Sequence, residues 1–183
     1  MILNDTQILK QLKQGRSKII NYLFDLYYVD LCKYAFKLTE KKEIAEEIVQ
    51  DIFIYLWEKR DTINIESSVK NYIFRAVKNK SLNYFKSKYA KISFQENLAD
   101  KDHPVINDTD SSILYNELSK ITKMAIDALP ERCALIFRLS RNFNMTYKEI
   151  AKNLNISVKT VENQIIKALK RIRKHLDENI NKT

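Results

Sequence analysis

Apolar residues recur at three- and four-residue intervals along most of this 183-residue chain, the period of helices with one buried face. From about Lys42 to Lys59 the apolar stripe is Ala45, Ile48, Val49, Ile52, Phe53 and Leu56. A helix burying that stripe turns Glu43, Glu46, Glu47, Gln50, Asp51 and Ile54 outward. Before it, Ile19, Ile20, Leu23, Phe24, Tyr27, Leu31, Tyr34, Ala35 and Leu38 predict a helix reaching Thr39. A short first helix, capped by Asn4, Asp5 or Thr6, is expected to end at Gly15, the single glycine of the chain. A fourth helix is predicted from about Val69 to Lys88.

Residues 146 to 169 predict two helices joined by a tight turn. Thr146 and Glu149 form a capping box, in which each side chain satisfies an amide left open by the first turn. Ile150, Ala151 and Leu154 supply a buried stripe, with Ala151 small where two helices must cross closely. Asn155 stands where the turn calls for a left-handed backbone, which Asn tolerates best after Gly. Ser157 caps the second helix. Val158, Val161, Ile165, Leu169 and Ile172 are expected to face inward, leaving Lys159, Thr160, Glu162, Asn163, Gln164 and Lys167 outward. This is the pattern of a helix-turn-helix whose second helix enters a major groove.

Composition narrows the class. One Gly and two Pro are too few for the turns of a β fold, so the chain reads as all-α. Its net charge of +9 suits a partner rich in phosphate. Residues 1 to 90 hold 16 basic and 11 acidic side chains, residues 91 to 110 hold 2 and 5, and residues 111 to 183 hold 14 and 7. The acidic strip from Gln95 to Asp110 has no periodicity and contains Pro104, which marks a flexible linker. Two small helical domains follow, at 1–90 and 113–183, with 91–112 joining them. No stretch approaches the roughly 18 apolar residues of a membrane span, and the amino terminus lacks the apolar core of a signal peptide, so a cytoplasmic protein not inserted in a membrane is expected. Cys32 and Cys133 are isolated and expected as buried, reduced thiols. With two His and one Gly, the chain offers no metal site, cofactor cradle, catalytic group or small-molecule substrate site.

Two helix faces carry candidate binding chemistry. The outer face of the third helix is acidic in a basic protein and interleaved with Ile54, Tyr55 and Trp57, a composition suited to a protein partner. The fourth helix mixes Lys70, Arg75, Lys78, Lys80, Lys86 and Lys88 with Tyr72, Phe74, Tyr84 and Phe85. Cations hold phosphates and rings stack on unpaired bases, so this mixture suits a single strand of nucleic acid.

Glu46-Glu-Ile-Val-Gln-Asp-Ile-Phe-Ile-Tyr-Leu-Trp57 resembles the polymerase-binding helix of bacterial sigma factors, and Val69 to Lys88 resembles their helix for the minus-ten promoter element. Leu129-Pro-Glu-Arg132 with the helix-turn-helix resembles the domain that reads the minus-thirty-five element. The two-domain plan is similar to the extracytoplasmic-function (ECF) group of the sigma-70 family. The resemblance implies that Glu47, Gln50, Asp51, Ile54 and Trp57 meet core RNA polymerase. It implies that the loop from Asp61 to Ser68 captures a flipped base beside Asn71, Arg75, Asn79 and Lys80. Lys159, Thr160, Asn163, Gln164 and Lys167 would then contact promoter DNA upstream, and an anti-sigma factor would restrain the protein. Tyr72 replaces a frequent Trp, Asn83 a common Asp, and Glu162 and Gln164 stand at positions often basic in the group. The rival readings are a helix-turn-helix regulator that is not a polymerase subunit, and a helical adaptor without a DNA role.

Overall fold

A computed structural model describes residues 3–66, 68–96 and 115–180. Among these residues the chain is all-α, with helices α1 (Asp5–Lys13), α2 (Ser17–Thr39), α3 (Lys42–Glu58), α4 (Val69–Glu96), α5 (Tyr115–Asp127), α6 (Glu131–Asn142), α7 (Tyr147–Leu154) and α8 (Val158–Ile180). The chain divides into two compact units, Met1–Tyr84 and Phe85–Thr183.

In the first unit, α2 and α3 pack along one another and α1 lies against α2. The whole expected stripe of α3, from Ala45 to Leu56, is buried against Ile19, Leu23, Leu31 and Ala35 of α2 and against Val69, Ile73 and Val77 of α4. Each large side chain so buried contributes about 1.5–3 kcal/mol relative to exposure. Phe24, expected inward, lies at the rim instead, stacked on Tyr28 with centroids 4.2 Å apart and tilted against Phe53 at 5.2 Å. The helix starts and stops follow local chemistry. Asn4 and Gln7 form a capping box at α1, and Gly15 follows that helix with φ +67°. Glu40 ends α2 in the left-handed region, its amide donating to the Phe36 carbonyl at 2.7 Å. Ser68 caps α4 by accepting from the Asn71 amide at 3.2 Å, and Asp5 accepts from the Val69 amide at 3.3 Å.

α4 continues eight residues beyond the expected Lys88, through Glu96. Phe85, Tyr89 and Ile92 recur at helical spacing and are all buried in the second unit, with the Phe85 ring edge-on to Phe143 at 5.5 Å. The expected linker therefore begins inside a helix, and its remainder to residue 112 lies outside the described residues.

The second unit gathers the end of α4 with α5 to α8, and α8 packs against α5, α6 and α7. Its core includes Leu135, Ile136 and Leu139 of α6, Ile150 of α7, and Val161, Ile165, Ala168 and Ile172 of α8. Arg138 donates to Asp127 at 2.7 Å, tying α6 to the end of α5. The capping box of α7 is present as expected: the Thr146 amide donates to Glu149 Oε2 at 2.7 Å, and the Glu149 amide donates to Thr146 Oγ1 at 3.3 Å. Asn155 has φ 54°, and Ser157 accepts from the Thr160 amide at 3.0 Å. Val158 and Leu169 depart from expectation, with 37% and 45% of their surface exposed. The inward line of α8 runs through Ala168, which leaves these two about 50° or more round the helix from its centre.

The left-handed turn at Asn155 yields a prediction. Asn155→Val places a branched side chain at positive φ and should destabilise the second unit by about 1–2 kcal/mol, while Asn155→Gly should be close to neutral. Urea unfolding followed by circular dichroism checks this, the Val variant shifting its midpoint and the Gly variant not.

Candidate functional site

The burial of the α3 stripe decides what its other side presents. Glu47, Gln50 and Ile54 are exposed on one face, Ile54 with 55% of its surface open. Asp51 and Trp57 are half-buried, and each is already engaged. Arg60 lies over the Trp57 ring at 4.7 Å from its centroid and donates to the Trp57 carbonyl at 2.8 Å. Asp51 pairs with Lys80 of α4 at 2.6 Å.

That ion pair joins two residues assigned above to different surfaces, Asp51 to the polymerase face and Lys80 to promoter DNA. Both side chains remain about four-tenths exposed, so the pair contributes on the order of 1 kcal/mol or less. Its effect is positional: the carboxylate turns toward α4, and Glu47, Gln50 and Ile54 form the exposed part of the acidic face, with Gln50 hydrogen-bonded to Tyr28 of α2.

Beside α4 lies an open cavity of about 470 Å³ lined by Asn64, Glu66, Tyr72, Arg75, Ala76 and Asn79. The helix contributes the last four, which share one side of α4, and the preceding loop contributes the first two. Of the four residues expected at the minus-ten site, Arg75 and Asn79 line this cavity. Asn71 is exposed at the first turn of α4, and Lys80 belongs to the ion pair with Asp51. Asn64 and Glu66 are lining residues that the sequence did not single out individually, although the loop containing them was expected there, and Tyr72, noted in the sequence as standing in place of a frequent Trp, lines the cavity as well. Burial first, and Tyr55 second, push the Tyr72 phenol upward, so it stays protonated and keeps a donor. The cavity thus offers a ring face, two amides, a carboxylate acceptor and a guanidinium donor. Its size suits a planar heterocycle.

On α8, Lys159, Asn163 and Lys167 are exposed together on the side away from the core. Thr160 and Gln164 are half-buried and depart from that face. The Thr160 hydroxyl lies 2.8 Å from Ser157 Oγ in the helix cap, and the main-chain carbonyl of Gln164 accepts from Cys133 Sγ at 3.2 Å, on the side of α8 that meets α6. Glu162 pairs with Lys159 at 3.4 Å, an exposed contact that moderates the positive charge of the first turn. Ile166 and Lys170 complete the outward face, and neither was expected to act there.

A helix-turn-helix with a basic outer face, and a helix bordering a polar aromatic cavity, define a protein that works on nucleic acid. Residues 23–90 match the family model of Sigma-70 region 2, and residues 120–172 match that of Sigma-70, region 4. The chain belongs to the sigma-70 family, in its ECF group. It is 22% identical to the ECF RNA polymerase sigma-E factor of Haemophilus influenzae, over 91% of this chain and 92% of that protein. It is 23% identical to the ECF RNA polymerase sigma factor SigW of Bacillus subtilis, over 92% and 94% respectively. A solved structure of CnrH in complex with the cytosolic domain of CnrY covers 95% of this chain and 97% of that one at 21% identity, with a TM-score of 0.41. Membership rests on the two region matches.

Of the two thiols, Cys133 lies inside the second unit, and Cys32 borders the acidic face through Tyr28 and Glu46. Cys133 is buried and Cys32 half-buried. Burial pushes both thiols up, offset at Cys133 by Arg171 and Lys167 and at Cys32 by a hydrogen bond with Tyr28. A thiol held protonated is a poor nucleophile. Cys133 should therefore stay unmodified by iodoacetamide at pH 7.5 while a urea-denatured control reacts fully, a contrast that intact-mass spectrometry reads directly.

Proposed function

We propose that this chain is an alternative sigma factor, a non-catalytic subunit that binds core RNA polymerase, directs it to specific promoters and promotes opening of the start region. The observation that carries the reading is the presence of both sigma regions on one chain, each with an open binding face built on a buried stripe. The acidic and apolar face of α3 serves polymerase, with Glu47, Gln50 and Ile54 in direct contact and Asp51 and Trp57 at its edge. The cavity by α4 takes an unpaired base of the promoter. A site that binds only the extruded base lowers the cost of opening a duplex, and stacking contributes about 1–3 kcal/mol per base. The outward face of α8 reads the upstream element, where Asn163 can pair bidentately with adenine and Lys167 can hold a phosphate.

The work is binding energy throughout and needs no cofactor. Among the described residues no helix is long and apolar enough to cross a membrane. The working location is the cytoplasm, beside polymerase and promoter DNA. An anti-sigma factor covering one of these faces is the expected restraint. A helix-turn-helix regulator outside polymerase would need only the second unit and would leave the acidic face of α3 without a use.

Replacing Gln50 and Asp51 together by Ala should abolish stable association with core polymerase, since losing a direct contact at Gln50 together with the edge carboxylate costs about 2 kcal/mol or more. Folding should survive, because both residues lie on the surface and the lost Lys80 pair is weak. Affinity chromatography with tagged core enzyme tests this, and recovery of the variant equal to the parent would overturn the α3 assignment. Asn79→Ala should leave that association intact and reduce strand opening several-fold. Permanganate reactivity of thymines near the start site measures the opening, and normal reactivity with the variant holoenzyme would remove the cavity from the mechanism.

A further inference from the structure

We propose that Ile166 selects thymine in the upstream promoter element by packing on its 5-methyl group, so that part of the sequence preference of α8 is apolar. The inference rests on α8 as the groove-entering helix and adds a residue that neither the motif nor the family assigns here.

Ile165 and Ile166 are adjacent and have opposite fates. Ile165 is buried in the second unit, whereas Ile166 leaves 61% of its surface exposed. The positions around it on the helix surface are Glu162, Asn163, Leu169 and Lys170, at steps of three and four residues, where side chains are neighbours, and Leu169 is itself 45% exposed. Lys159 and Lys167 flank the same outward side. A β-branched apolar residue this exposed, at the edge of a lysine-bearing face and beside exposed Leu169, is out of place for a surface that only meets water. It is well placed for a surface whose cations hold phosphates on either side of a groove. Ile166 lies eight residues after Val158, about 12 Å along the axis, comparable with the roughly 12 Å width of the major groove. A helix entering that groove carries Asn163 and Ile166 to base edges on one side. The thymine methyl is the apolar feature that a base pair presents there, and apolar side chains meet it directly. Ile also has a single stiff χ1 preference in a helix, so ordering it against a base loses little freedom. Glu162 sharpens the choice, since its carboxylate repels phosphate and favours contacts to bases over nonspecific grip.

The test uses holoenzyme and duplex promoters that the parent holoenzyme selects from a library randomised in the upstream element. Each selected thymine is replaced in turn by deoxyuridine, which removes only the methyl group, and affinity is measured by competition. The parent should show one position where the replacement weakens binding about fourfold, the weight of one buried methyl. Ile166→Ala should bind the thymine and deoxyuridine forms equally at that position, and Ile166→Val should lie between. Thermal melting of the free variants should match the parent, because the side chain is exposed.

A parent insensitive to deoxyuridine at every position, a selected element without thymine, or an Ile166→Ala variant that keeps the full methyl preference would each overturn the proposal. In the last case Ile166 belongs with Leu169 to a protein contact. Footprinting separates these failures from failure of the underlying reading. If the upstream element is protected without methyl dependence, α8 reads DNA and Ile166 does not contribute; if it is unprotected, the placement of α8 in a groove fails as well.

Discussion

The rotational setting of each amphipathic helix is the constraint on which the binding surfaces depend. A helix that buries one stripe has no freedom to choose its outward face, because turning it by one residue moves apolar side chains into water at about 1.5–3 kcal/mol each. α3 shows the consequence. Ala45, Ile48, Val49, Ile52, Phe53 and Leu56 are all buried, and Glu47, Gln50 and Ile54 are thereby left at the surface. The same logic sets α8, where Val161, Ile165, Ala168 and Ile172 go inward and Lys159, Asn163, Ile166 and Lys167 face out. Stability and function use opposite sides of the same helices.

With a single glycine, the chain makes its sharp turns by other means. Glu40, Asn144 and Asn155 all adopt positive φ, and two of the three are Asn, whose short polar side chain tolerates the left-handed region. Asn155 fixes the turn between α7 and α8, and so the angle at which α8 leaves α7. The capping box of Thr146 and Glu149 before that turn, and Ser157 after it, fix both helix ends without glycine.

Electrostatics divides the chain in a way that net charge alone conceals. A protein of +9 keeps an acidic face on α3, and the pair between Asp51 and Lys80 marks the boundary where that face meets a basic helix. Weak, half-exposed pairs of this kind add little stability. They orient side chains: Lys80 is held over α3, while Arg75 and Asn79 remain directed to the cavity with Tyr72.

Much of this was legible in the sequence. The stripe of α3, the ends of α1 and α2, the boundaries of α3, the capping box of Thr146 and Glu149 and the left-handed Asn155 follow from periodicity and from side chains within four residues, which are local physics. The helix-turn-helix and the acidic face were readable for the same reason. Other features required tertiary packing. α4 runs to Glu96 because Phe85, Tyr89 and Ile92 find partners in the second unit, a spacing visible in the sequence whose burial is not. Val158, Leu169 and Ile166 are exposed because Ala168 takes the inward place, a choice among several apolar residues that only the neighbouring helices make. The cavity and the pairing of Asp51 with Lys80 bring together residues from separate segments. The cavity depends on how a loop folds back beside the helix that follows it, and the ion pair on how α3 packs against α4; periodicity along the chain carries no record of either.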